Sequence, residues 1–151
     1  MRRFRTIALA LALCAAPGAT AGAHTAAAPQ ARAASAALAQ AGAPYLWGGS
    51  SPRTGFDSSG LVVWAYERVG VSLPHAAPFL WRAGRHVARA HLRRGDLVFF
   101  DHAEHVGIYL GNGRFVHATH TGAPVAVDRL GAFLSLYSGA VRIAAPVRTG
   151  G

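Results

Sequence analysis

His105-Val106-Gly107-Ile108-Tyr109-Leu110-Gly111-Asn112-Gly113-Arg114-Phe115-Val116-His117 reads as two strands joined by a glycine-rich turn. Leu97 to Asp101 predicts a strand before this pair, and Val125 to Asp128 and Val141 to Ile143 predict two after it. The upstream sequence has a different rhythm. Ala31 to Gln40 is rich in helix formers and stops before Gly42 and Pro44. Leu61, Val62, Ala65, Tyr66 and Val69 recur at helical spacing from about Ser58, with Asp57 as N-cap and Gly70 as terminator. Pro78 to Arg85 predicts a further helix, and Pro44 to Phe56, with four interruptions by Gly or Pro after Pro44, a loop. Helices first and strands afterwards give an α+β fold, with short N-terminal helices packed on one antiparallel sheet.

The first residues set the expected compartment. Met1-Arg2-Arg3-Phe4-Arg5 is a basic start, Ile7 to Ala16 is apolar, and small residues offer cleavage at 21/22 or 23/24. That pattern predicts a signal peptide over 1–23 and a secreted, extracellular or wall-associated protein, with no permanent membrane span. Residues 24–37 then form a flexible mature terminus and the start of the first helix, 38–146 one domain, and 147–151 a disordered tail. Cys14, the only cysteine, falls in the discarded segment. The mature chain is therefore expected to have no thiol for a disulfide, a metal or catalysis.

All fifteen basic residues are arginine, and the net charge is +9. Without Arg2, Arg3 and Arg5, twelve arginines face six acids, leaving +6. Outside the cell such a surface meets anionic wall polymers, or serves solubility alone. The arginines are scattered rather than interleaved with stacking aromatics, and export argues against a nucleic-acid partner. No phosphate-binding glycine loop is present, so no cofactor is expected, and a monomer is.

Five motifs occur in order: Tyr45-Leu46-Trp47-Gly48-Gly49, Asp57-Ser58-Ser59-Gly60-Leu61-Val62, Arg94-Gly95-Asp96-Leu97-Val98-Phe99-Phe100, the His105 to Gly111 run, and Phe115-Val116-His117-Ala118. Singly they are common. In this order and spacing they resemble the NlpC-type family of bacterial cell-wall endopeptidases, across residues 38 to about 143. The resemblance implies a papain-like fold with a cysteine nucleophile at a helix N-terminus. It also implies a histidine base on the sheet and a polar residue orienting that base. Ser58 stands at the cysteine position, His105 at the base and His117 at the orienting residue. Tyr45, Asp57 and Ser59 line the site, Tyr45 beside the oxyanion, while Trp47, Gly48 and Gly49 shape the substrate groove. The family substrate is the peptidoglycan stem peptide, cut between D-glutamate and a diamino acid.

A base and an orienter must share a sheet face, which tests the hairpin register. A two-residue Asn112-Gly113 turn continued without interruption pairs 111 with 114 and puts His105 and His117 on opposite faces. A three-residue loop, 111–113, with Gly113 left-handed in a bulge, pairs 110 with 114 and 107 with 117. The histidines then become diagonal neighbours. The catalytic reading requires this second register.

Other histidines carry less. His102, His105, His117 and His120 suggest zinc superficially, but no His-Glu-x-x-His motif accompanies them, and no metal is expected. His75, His86 and His91 read as surface residues, and Asp101 and Glu104 as solvated loop acids, either a poor substitute for His117.

Serine changes the chemistry. A helix N-terminus and a histidine lower a thiol from about 8.5 until thiolate is populated at neutral pH. A hydroxyl must instead lose its proton during attack to a strong, oriented base, which serine hydrolases back with a carboxylate. The expectation is a stem-peptide-recognising protein whose catalysis is impaired. The alternatives are a working hydrolase using Ser58, His105 and His117, and a zinc hydrolase.

Overall fold

A computed structural model describes residues 26–146. The expected signal peptide and C-terminal tail lie outside the described residues.

The helix α2 (Ser58–Glu67) is central. Leu61, Val62, Ala65 and Tyr66 are fully or almost fully buried on it, and this burial outweighs the weak helix propensity of the adjacent valines Val62 and Val63. Asp57 is the N-cap and accepts a hydrogen bond from the Gly60 N–H. The chain leaves the helix through Gly70 at φ +83°. The helix α1 (Pro29–Leu38) starts two residues before the expected Ala31, with proline in its first turn. Its Ala33, Ala34 and Ala37 are fully buried, and small side chains there let it lie close on α2 and the sheet. Gln30 Nε2 donates to the Ile143 carbonyl at 2.9 Å, so the packed body extends back to Pro29.

The expected loop before α2 contains a small hairpin, β1 (Ser50–Ser51) with β2 (Gly55–Phe56). The expected helix over 78–85 is a single turn, α3 (Ala77–Leu80), and its tail is captured by the sheet instead. Arg85 to Val87 forms β3, paired with β8 (Tyr137–Arg142), which itself begins four residues earlier than the sequence suggests. Neither segment carries a β-branched run at that end; pairing on both sides of β8 supplies what propensity does not. Gly84 permits the approach, since a Cβ there would lie 2.3 Å from the Arg142 carbonyl oxygen.

The remaining strands are β4 (Leu97–Phe100), β5 (His105–Gly111), β6 (Arg114–Ala118) and β7 (Val125–Arg129). The six-stranded sheet has the order β3-β8-β4-β5-β6-β7 and is antiparallel throughout. Alternation splits its side chains into two cores. Leu97, Phe99, Val106, Ile108 and Val116 join the helices in the larger one, while Val98, Phe100 and Phe115 form a smaller aromatic one with Leu130 and Phe133. The Arg94-Gly95-Asp96 motif proves structural. Asp96, 1 % exposed, receives both Nε and Nη2 of Arg142 at 2.7 Å, a bidentate pair that neutralises a buried carboxylate.

The hairpin combines the two turn alternatives. Asn112 and Gly113, at φ +53° and +71°, form a two-residue turn closed by Gly111 opposite Arg114. The extra residue is absorbed earlier, by a bulge at Leu110–Gly111 with Gly111 at φ +95°, not by Gly113 as expected. Beyond the bulge Ile108 pairs Val116 and Tyr109 pairs Phe115, the register that puts His105 and His117 on one face.

Candidate active site

Ser58 is the first residue of α2. The N–H groups of Ser58 and Ser59 have no acceptor within the helix, while Asp57 occupies that of Gly60. They are ready donors to negative charge developing beside Ser58. Asp57 does more than cap. Its Oδ1 also accepts from Ser59 Oγ at 3.2 Å and lies 2.9 Å from His75 Nε2, and its Oδ2 accepts from the Gly48 N–H at 2.9 Å. One carboxylate thus ties the helix start, the Trp47–Gly49 loop and the His75 segment together. His75 is exposed, as expected, but it stands at the lip of the site instead of on a distant surface.

Tyr45, Trp47, Asp57, Ser58, Ser59, His75 and His105 line one cleft of about 280 Å³. Trp47 is 87 % exposed there, a large apolar ring left open to solvent. Tyr45 is kept protonated by partial desolvation and by the Asp57 carboxylate, so it presents an O–H donor. Gly48 and Gly49 are absent from the cleft wall. Gly48 adopts φ +72°, and a Cβ on Gly49 would meet the Gly55 carbonyl oxygen at 2.4 Å. Gly48 is thus required by its backbone conformation and Gly49 by the close approach of the Gly55 and Leu46 carbonyl oxygens. Gly60 is approached as closely, with the Gly49 carbonyl oxygen 1.8 Å from where its Cβ would sit.

On the opposite wall His105 opens β5. Its Nε2 lies 2.7 Å from His117 Nδ1 on β6, and His117 Nε2 lies 2.8 Å from Asp128 Oδ2 on β7. Gly107 makes room for this chain of groups, because a Cβ there would crowd the Phe115 ring at 2.8 Å and His117 Cβ at 3.2 Å. Phe100 stands beside His105, and Phe115 and Phe133 beside His117. Burial against these rings, helped by the neighbouring His117, lowers His105 to a pKa of about 4. Burial lowers His117 too, opposed by its hydrogen bond to Asp128. Both are neutral at pH 7. His105 divides the Ser58 cleft from a second one of about 530 Å³, lined by His117, His120, Asp128 and Phe133.

Asp128, half-exposed on the edge strand β7, is absent from the expected site. Asp101 and Glu104, the acids weighed for the orienting role, lie on the turn before His105. The signal for Asp128 was the alternation of Val125 to Asp128, which puts 126 and 128 on one face. The length of the loop after Ala118 hides which face that is; the pairing of His117 with Ala126 decides it. Among the described residues no group of three or more His, Cys, Asp or Glu is arranged to hold a metal ion.

Ser58 at a helix start thus shares a cleft with His105, which is in hydrogen-bond contact with His117 on an antiparallel sheet. The sequence profile of the NlpC/P60 family matches residues 42–135. The chain belongs to the NlpC/P60 family. It is 50 % identical over 93 residues to the probable endopeptidase Rv2190c of Mycobacterium tuberculosis, covering 61 % of this chain and 24 % of that protein. It is 42 % identical over 119 residues to the murein DD-endopeptidase MepH of Escherichia coli, covering 72 % of this chain and 44 % of MepH. The solved structure of the peptidoglycan hydrolase RipB from M. tuberculosis superposes with a TM-score of 0.69 at 35 % identity, over 76 % of this chain and 64 % of that one. The P60 domain of an antigen from M. avium subspecies paratuberculosis gives 0.69 at 29 % identity, over 79 % of this chain and 96 % of that domain. The chain thus spans less than half of these two curated relatives and carries an NlpC/P60 domain.

Proposed function

We propose that this chain is an exported cell-wall protein that binds peptidoglycan stem peptides, around the bond between D-glutamate and the diamino acid, and hydrolyses them poorly. The observation carrying the reading is a hydroxyl, not a thiol, at position 58 in the cleft that also holds the largely buried His105. His105 is neutral and free to accept a proton, but its imidazolium is disfavoured by burial. A thiolate at position 58 would supply the negative charge that such an imidazolium lacks; a hydroxyl supplies none. Ser58, His105 and His117 keep the roles of nucleophile position, base and orienter. Tyr45 and the Ser58 and Ser59 N–H groups surround the oxyanion position.

Binding has independent support. The Ser58 cleft shares Pro78 and Glu104 with a third one of about 570 Å³, bordered by Trp81, Arg82 and Tyr137, which offers room beside the site for further residues of a peptide. Trp47 and the arginine-rich surface suit a peptide with carboxylates attached to an anionic wall. One feature favours a second reading, a working serine hydrolase: Asp128 supplies the carboxylate behind the histidines that serine enzymes use.

Cosedimentation with purified peptidoglycan tests the first reading, followed by mass spectrometry of the soluble fraction. The expected outcome is sedimentation with the wall, weakened by Trp47→Ala, and no new peptide termini. Failure to sediment contradicts binding, and new termini lost in Ser58→Ala establish the serine hydrolase.

A further inference from the structure

We infer that Asp128 is a positioning residue that fixes the tautomers of both histidines and so leaves the Nδ1 of His105 bare as the proton acceptor. An ionised carboxylate only accepts hydrogen bonds, so the 2.8 Å contact requires His117 Nε2 to carry a hydrogen and donate it. In neutral His117 the Nδ1 is then a lone pair. The 2.7 Å contact to His105 must be donated by His105 Nε2–H, which leaves the lone pair of neutral His105 on Nδ1. Two contacts and one acceptor-only group determine both rings.

Without the carboxylate the pair has a second solution of equal geometry. His117 carries its hydrogen on Nδ1 and donates to a bare His105 Nε2. His105 then holds its hydrogen on Nδ1 and has no lone pair left for a nucleophile. The same 2.7 Å separation serves both directions, so nothing in the histidine pair itself selects the competent one. The sheet makes the choice by register. Asp128 lies opposite Phe115 and diagonal to His117, on the face shared with His105. The aromatic wall of Phe100, Phe115 and Phe133 keeps both rings neutral, the condition under which tautomers matter.

The inference concerns the frame used by the proposed function, yet its readout requires no substrate, so either can fail alone. Long-range proton–nitrogen NMR on histidine-labelled protein near neutral pH reports which ring nitrogen is protonated. In the full chain both His105 and His117 are expected as the Nε2–H tautomer. Asp128→Ala should give a tautomer mixture at both, and Asp128→Asn, whose side-chain oxygen still accepts, should retain most of the native tautomer. Exposure of Asp128 on an edge strand makes both substitutions compatible with folding, and an unchanged backbone amide spectrum checks it. In a Ser58→Cys background, Asp128→Ala should lower kcat by about 10- to 100-fold with KM little changed, as when the partner of a functional histidine is removed. His105 carrying its hydrogen on Nδ1 in the wild type, or tautomers indifferent to Asp128→Ala, overturns the inference.

Discussion

The two walls of the Ser58 cleft differ in how much chemistry they keep. The sheet wall holds an uninterrupted series, His105 to His117 to Asp128, with contacts of 2.7 and 2.8 Å across three strands. The helix wall keeps its scaffold, with Asp57 gathering Gly60, Ser59, Gly48 and His75, but carries a hydroxyl at position 58. On the proposed reading, scaffold and base persist around a serine they are poorly matched to. On that reading the mismatch is electronic, not architectural. A serine and a cysteine fill the first position of a capped helix almost equally well, while their proton affinities differ by far more than any packing term.

This comparison can be broken from either side. The largest effect is expected on the sheet wall: in a Ser58→Cys background, His105→Ala should abolish peptide release, measured by mass spectrometry of digested muropeptides. Activity surviving there would mean that another group, such as His75, serves the site. Next comes the packing of the helix wall. Gly60→Ala drives a Cβ into the Gly49 backbone and should destabilise the fold by about 1–3 kcal/mol in urea unfolding. Gly107→Ala meets the Phe115 ring at 2.8 Å and the Val116 carbonyl oxygen at 2.9 Å, a milder overlap that should cost less while displacing His117 enough to disturb the histidine NMR signals. Asp57→Ala should remove about 1 kcal/mol through the lost cap and loosen the Trp47 loop, seen as a change in tryptophan fluorescence.

The smallest effect is a pH dependence. His105 is neutral in the folded protein down to about pH 4, whereas in the unfolded chain it protonates near 6.5. Between those values the unfolded state binds more protons. Its contribution to stability is full above 6.5 and is lost as pH falls towards 4. His117 acts in the same direction. Urea midpoints for wild type and His105→Gln near pH 7 and pH 4.5 should show a shallower decline in the variant.

Most of the frame was legible in the chain. The Asp57 cap, the α2 periodicity and the strand alternation each follow from local rules, and together with the motif order they gave fold and family. The register needed for His105 and His117 followed from requiring one face, although Gly111 rather than Gly113 absorbs the extra residue. What stayed hidden depends on non-local pairing. Asp128 reaches His117 only through the β6–β7 register, β3 exists because β8 and Gly84 receive it, and His75 reaches Asp57 from a segment with no periodicity. Gly49 was visible as a motif residue, but the reason for a glycine there appeared only once the Gly55 and Gly60 backbones were in place.

Digestion of purified muropeptides by wild type, Ser58→Ala and Ser58→Cys in parallel tests most directly whether one atom at position 58 separates an assembled site from a working one. New termini are expected with Ser58→Cys alone, and thiol alkylation should remove them. Wild-type products that vanish in Ser58→Ala, or a Ser58→Cys variant as silent as the wild type, would contradict it.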